Sequence, residues 1–250
     1  MPAAEAGGTF VPTLNKMGYM ANYIDSYARE FINYSADVSS SLPCLEIGAA
    51  YGKVTTEALK AGATIIANDL DWRHLQVLKN SIDPSILPKL TLLPGKFPDD
   101  IHMKSHSVAA VFASRVFHFC NPDELERALK KVFDILVFSG KFFMICETPY
   151  LGGYENFIPV FEKRKKEGDK WPGLIKDISL YNPQRGGFLP KLLHFFDPDT
   201  LSEIILRQGF LIEQVSTFAR PEFPLDLQLD GRESVGLIAV KPPQPASEFI

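Results

Sequence analysis

The chain has 250 residues, of which 46% are hydrophobic and 22% charged, enough for one well-buried domain with or without a small lid. That balance excludes an intrinsically disordered or fibrous protein. The net charge of −4 removes any general attraction to nucleic acid or to an anionic membrane, so no DNA partner is expected.

Residues 1–18 are rich in Ala, Gly and Pro and read as a loose leader, leaving 19–250 as a single domain. Met1 to Gly8 has no basic segment followed by an apolar core, so it is no secretory signal, and a cytoplasmic protein is expected. From Tyr19 to Tyr34 the apolar residues Met20, Tyr23, Ile24, Tyr27, Ala28, Phe31 and Ile32 recur at helical spacing, which predicts an amphipathic N-terminal helix. Pro43 to Gly52 reads as a strand, Leu45-Glu46-Ile47, entering a turn of small residues. Lys53–Ala61 then has a helix pattern, closed by Gly62.

Thr64–Ala67 is a second strand ending in Asn68-Asp69, with Asp71 placed to cap a helix that carries Trp72, Leu75 and Leu78. Leu90–Leu93 and Val108–Ala113 are the third and fourth strands, the latter continuously apolar, as strands covered on both faces are. Asn121-Pro122-Asp123-Glu124 starts a helix that runs to about Phe138. Lys141–Cys146 is the fifth strand, Asp197–Gly209 a further helix, and Phe210–Phe218 and Ser234–Val240 the last two strands. Runs such as Val108–Ala113 are too short to span a membrane, and no membrane partner is expected. Five alternations of strand and helix predict an open, doubly wound, mostly parallel α/β sheet.

One connection breaks the rhythm. Residues 150–196 separate the fifth strand from its next helix and hold Trp171, Tyr181, Phe188, Phe195 and Phe196, two Gly pairs, and the charged run 162–167. An insertion of this length at this end of a sheet reads as a lid or substrate-binding segment. The run 162–167 mixes both signs and reads as a solvated helix face, although an RNA or acidic protein partner stays open. The cysteines, Cys44, Cys120 and Cys146, are odd in number and far apart; they read as thiols, and no metal site is expected.

The chemistry gathers at the turn. Gly48, Ala49, Ala50 and Gly52 carry little or no side chain, so backbone can approach a ligand closely next to the N–H groups of a helix start. The pattern Glu46-x-Gly48-x-Ala50-x-Gly52 departs from the G-x-G-x-x-G of nicotinamide-dependent oxidoreductases. It resembles the first motif of the class I S-adenosylmethionine-dependent methyltransferases, and the resemblance extends along most of residues 40–220. It implies a seven-stranded sheet with helices on both faces, the last strand antiparallel, and S-adenosylmethionine as cofactor with S-adenosylhomocysteine as product.

By the same resemblance Glu46 holds the turn and the amino end of the cofactor. Asp69, followed by Leu70, ends the second strand where a ribose-binding acid belongs, and a carboxylate can accept from two vicinal hydroxyls. Pro94-Gly95-Lys96-Phe97-Pro98 matches the segment beside the adenine, with Lys96 where many members carry an acid and Phe97 placed to stack or to fill core. Ser114 and Arg115 fall beside the methionyl portion. His118 is the candidate acid–base residue, because imidazole titrates near neutrality, and His194 a second candidate. Ala-Ser-Arg-Val stands where enzymes that methylate base amino groups carry Asn/Asp-Pro-Pro-Tyr/Phe.

The expected activity is methyl transfer to a small, partly apolar acceptor, walled by the 19–34 helix and the 150–196 insertion. A protein or RNA acceptor, a non-catalytic cofactor-binding protein on the same fold, and a monomer or homodimer all stay open.

Overall fold

The computed structural model describes residues 9–38, 42–184 and 189–245. At its centre is a seven-stranded sheet of order β10-β11-β7-β6-β3-β4-β5. Its strands are β3 (Cys44–Ile47), β4 (Ile65–Asp69), β5 (Leu90–Pro94), β6 (Val108–Ser114), β7 (Leu136–Glu147), β10 (Leu211–Phe218) and β11 (Ser234–Val240). β11 pairs antiparallel with both neighbours and the other pairs are parallel, so the expected seven-stranded, mostly parallel sheet is what forms.

Alternation along the strands loads both faces with apolar side chains. Val111, Ala113, Phe142, Met144 and Cys146 point to one face, where they meet helices α4 (Pro122–Ile135) and α6 (Pro198–Arg207) through Leu125, Leu129, Val132, Leu201 and Ile205. Ala110, Phe112, Phe143 and Ile145 point to the other, under α1 (Ser26–Asp37), α2 (Lys53–Lys60) and α3 (Trp72–Ser81). Two-faced burial explains why these strands are apolar at every position rather than at every second one. α4 and α6 both start in a capping box, closed by Asn121 with Glu124 and by Asp197 with Thr200. All three cysteines are free, Cys44 and Cys146 deep in the sheet.

The N-terminal region departs from the sequence reading. A helix over 19–34 was expected, but α1 begins at Ser26, because Asp25 takes an extended conformation and its side chain accepts from the Ala28 amide at 2.8 Å. Before it, Tyr19–Ala21 forms a strand, β2, paired antiparallel with β1 (Phe10–Pro12), so part of the stretch read as leader is one arm of a hairpin. Residues 1–8 of that stretch lie outside the described residues. The aromatic Phe10 and Tyr19 and the β-branched Val11 favour the pairing, a signal too short to outweigh the overlapping helical spacing.

The insertion has a core of its own. Helix α5 (Ile158–Lys166) and a short hairpin of β8 (Leu174–Ile175) with β9 (Leu193–His194) bury Tyr154, Phe157, Phe161, Ile178 and Phe195 together, with Phe10 of β1 packed against them. Lys165 of the charged run is ion-paired with Asp197 and, at 2.7 Å, with Asp199, while Lys163 and Glu167 are exposed. Gly186-Gly187 and Phe188 lie outside the described residues.

Candidate active site

β3, β4 and β5 step across the sheet in one direction, and the chain then returns to place β6 on the other side of β3. The carboxyl ends of β3 and β6 therefore diverge, and such a switch point opens a crevice. A cleft of about 320 Å³ lies there, lined by Glu46, Gly48, Ala49, Ala50, Asp69, Leu70, Lys96, Phe97, Ser114 and Arg115. Ten of the sequence-derived residues are thus brought to one cleft. Gly52 lies behind it, where its φ of +75° starts α2 and a Cβ would come within 2.2 Å of Leu78.

The turn is shaped for close approach. Gly48 and Ala50 both have positive φ, +70° and +47°, and a Cβ on Gly48 would lie 2.3 Å from a methyl of Val116. The Ala49 amide donates to the Asn68 carbonyl at 2.8 Å, and the Ala50 amide to Oδ2 of Asp69 at 2.8 Å, which ties the turn to the end of β4. Asn68 in turn donates from Nδ2 to the carbonyls of Leu93 and Gly95, fixing the loop that carries Lys96 and Phe97.

Asp69 is more heavily engaged than the sequence suggests. Its Oδ1 accepts from the Asp71 amide at 2.9 Å and from Nδ1 of His74 at 3.0 Å. With Oδ2 taken once by Ala50, three of about four acceptor sites are occupied, leaving room for one hydroxyl rather than two. His74 was not singled out in the sequence; a lone histidine on an amphipathic helix carries no signal of its own. Buried here, it holds its proton on Nδ1 toward Asp69 and accepts at Nε2 from the Leu14 amide at 3.0 Å. Tyr51 donates to the Pro12 carbonyl at 2.9 Å, so two bonds fasten the β1–β2 loop over the cleft. Asp71 caps α3 as expected, and the Arg73 guanidinium holds its carboxyl down at about 2.

Electrostatics divide the cleft. Glu46 is buried and accepts from the Thr55 hydroxyl, but burial dominates and pushes its carboxyl up to about 7. Arg115, at a φ of +55°, has its Nη1 buried without a hydrogen-bond partner, and burial brings its guanidinium down to about 10. Lys96 is exposed at the rim and paired with Glu124 at 2.7 Å, so the departure from an acid at 96 comes with an acid supplied by α4. Phe97 is buried, near Phe117 at 6.2 Å between ring centres, and also lines the cleft.

A second cavity of about 140 Å³ adjoins the cleft, and Gly18, Tyr19, Arg115 and Phe119 line both. His118 lies in this smaller cavity and not in the cleft. Both of its ring nitrogens are buried without hydrogen-bond partners, and burial, with Arg115 close by, pushes its pKa down to about 3. It is a neutral imidazole across the physiological range and a weak base. His194 lines neither cavity; it packs between Trp171 and Phe196. Glu147, at the carboxyl end of β7, was passed over in the sequence, although it stands at a strand end as Asp69 and Ser114 do. Leu151, Tyr154, Leu189 and Leu193 of the insertion complete the cavity with Phe10 and Phe223.

Among the described residues no group of three or more His, Cys, Asp or Glu forms a metal site, and no helix is long and apolar enough to cross a membrane.

Residues 44–140 match the family model described as a methyltransferase domain. Over that span the chain is similar to the methyltransferase-domain family, and solved methyltransferases share its fold. An S-adenosylmethionine-dependent methyltransferase from Mesorhizobium loti is 18% identical with a TM-score of 0.58, covering 86% of this chain and 98% of that one. A methyltransferase from Methanosarcina mazei is 16% identical with a TM-score of 0.60 over 86% and 98%. The glycopeptide N-methyltransferase MtfA bound to S-adenosylmethionine is 18% identical with a TM-score of 0.59 over 87% and 86%, and it is also known with S-adenosylhomocysteine. A Haloferax volcanii methyltransferase in complex with the Trm112 activator matches at 14% identity and TM-score 0.60 over 88% and 90%. At these identities the likeness is one of fold. A search of curated protein sequences finds no match.

Proposed function

We propose that this methyltransferase acts on a small, mainly apolar acceptor, with S-adenosylmethionine in the larger cleft and the acceptor in the smaller cavity. The observation that carries this reading is the junction: four residues, Gly18, Tyr19, Arg115 and Phe119, line both spaces, so molecules occupying each would meet there.

The cleft fits the cofactor's groups. Positive-φ Gly48 gives the close approach that the methionyl chain needs over the turn. Glu46, without a cationic partner among the described residues and held at about 7, suits the cofactor's ammonium group, and the orphaned Nη1 of Arg115 suits its carboxylate. Asp69 takes a ribose hydroxyl on its remaining acceptor site, while Leu70 and Phe97 offer apolar surface for the adenine. Ser114 sits beside Arg115 at the end of β6. When bound, the cofactor supplies a methyl group on a sulfonium, already a good leaving group. The protein's share is then alignment and the exclusion of water, which the hairpin and the insertion supply as walls. His118, which titrates near 3, serves better as a hydrogen-bonding group than as a base.

Calorimetric titration with S-adenosylmethionine and with NAD, on the native chain and on Asp69→Ala, tests the cofactor half. S-adenosylmethionine is expected to bind, and more weakly to Asp69→Ala. NAD binding without S-adenosylmethionine binding would overturn the reading. A panel of small acceptors assayed for S-adenosylhomocysteine formation tests the other half, and cofactor binding with no product from any acceptor would favour a non-catalytic role.

A further inference from the structure

The smaller cavity carries more information than its shape. Its walls are apolar and aromatic, and at about 140 Å³ it matches in size an apolar cavity of about 150 Å³ that holds one benzene ring. Its polar side chains are Glu147, His118, Arg115 and the tyrosines Tyr19 and Tyr154. The Glu147 carboxylate is set in place by a relay: Arg220, fully buried, donates from Nη1 to Ser234 Oγ at 3.1 Å, and Ser234 donates to Oε2 of Glu147 at 2.6 Å. The other oxygen, Oε1, receives no hydrogen bond from the described residues. His118 is 4% exposed, with both nitrogens unpartnered. Leaving buried polar atoms unpaired is costly, and a ligand that pairs them recovers that cost.

We propose that this cavity binds a neutral single-ring phenol, its hydroxyl donating to Glu147 and accepting from the N–H of His118. The proposal rests on the cofactor-and-acceptor reading above and names the acceptor class. A neutral imidazole has one N–H to give, and Glu147 has one open oxygen, so a hydroxyl satisfies both and keeps a lone pair free toward the junction. An aromatic amine that accepted from His118 would have no lone pair left to methylate. A benzoate would put a second carboxylate beside Glu147 in a largely apolar cavity, with Arg115, the cation in its lining, already given to the cofactor's carboxylate. In the transfer, Glu147 takes the hydroxyl proton as the oxygen's free lone pair bonds to the methyl carbon. The electron pair of the cleaved carbon–sulfur bond leaves with the thioether product.

The test is calorimetric titration of the full chain, saturated with S-adenosylhomocysteine, with p-cresol, p-toluidine and p-toluate. We expect p-cresol to bind at least about tenfold more tightly than the other two, and Glu147→Gln to lower its affinity by about tenfold while S-adenosylhomocysteine affinity holds. Leu189→Trp, at a half-buried site tolerant of a larger side chain, and Leu151→Trp should each fill the cavity and exclude p-cresol. Equal or tighter binding of p-toluidine or p-toluate overturns the proposal, as does p-cresol affinity unchanged in both tryptophan variants. Should S-adenosylhomocysteine fail to bind, the cofactor reading falls on its own. The same titrations on the free protein then rank the three compounds, and p-cresol binding no more tightly than the other two overturns the proposal there as well.

Discussion

Glu46 shows how a single buried carboxylate can report on the site. Burial holds it near 7, so in the free protein it is partly protonated at neutral pH. A cationic ammonium group beside it stabilises the charged form and lowers that value, so binding releases a proton. S-adenosylmethionine affinity should therefore rise as pH rises through about 7 and fall below it, and should be nearly flat between about pH 6 and 8 in Glu46→Gln. Calorimetry in buffers of different ionisation enthalpy measures both the affinity and the proton. Gly48 gives a second residue-scale prediction. Gly48→Ala forces an L-residue to a φ of +70° with its methyl 2.3 Å from Val116, which should cost about 1–3 kcal/mol of stability and weaken cofactor binding. Denaturant unfolding and calorimetry measure the two effects.

Among the elements, the β1–β2 hairpin has the most exposed role. Two of its bonds to the domain, Leu14 to His74 and Tyr51 to Pro12, hold it over the cleft, and it supplies Gly18 and Tyr19 to the junction. Deleting residues 1–18 removes β1 and both bonds, frees His74 from its Nε2 partner, and opens the cleft to water. S-adenosylmethionine affinity should drop by about thirtyfold, in keeping with two lost hydrogen bonds of about 1 kcal/mol net each, while the melting temperature falls by about 4–8 °C. An affinity equal to that of the native chain would show that the hairpin does not cover the cofactor.

At the scale of the molecule, the sheet ends build the larger cleft and the insertion adds four residues to the lining of the smaller cavity. Replacing residues 150–196 with a short linker removes Leu151, Tyr154, Leu189 and Leu193 from that cavity and the local core around Phe157 and Phe161. Turnover should be abolished and S-adenosylmethionine binding kept, because every cofactor-side residue named above lies outside the insertion. Product formation measured alongside equilibrium binding checks this, and unchanged turnover would refute the insertion's part in acceptor binding.

The sequence by itself determined the doubly wound sheet and the residues that line the larger cleft. Those are local: a strand end, a small-residue turn and a helix cap each fix their geometry within a few residues, and parallel pairing brings three such ends side by side. It could not show that Asp69 is largely consumed by Ala50, Asp71 and His74, since hydrogen-bond partners between 2 and 19 residues apart leave no spacing signature. Nor could it place the N-terminal stretch, where helical spacing and a three-residue strand overlap and Asp25 decides between them. The smaller cavity belonged wholly to tertiary structure. Phe10, His118, Glu147, Tyr154 and Phe223 are spread along the chain, and only packing of the hairpin, the sheet end and the insertion brings them around one space.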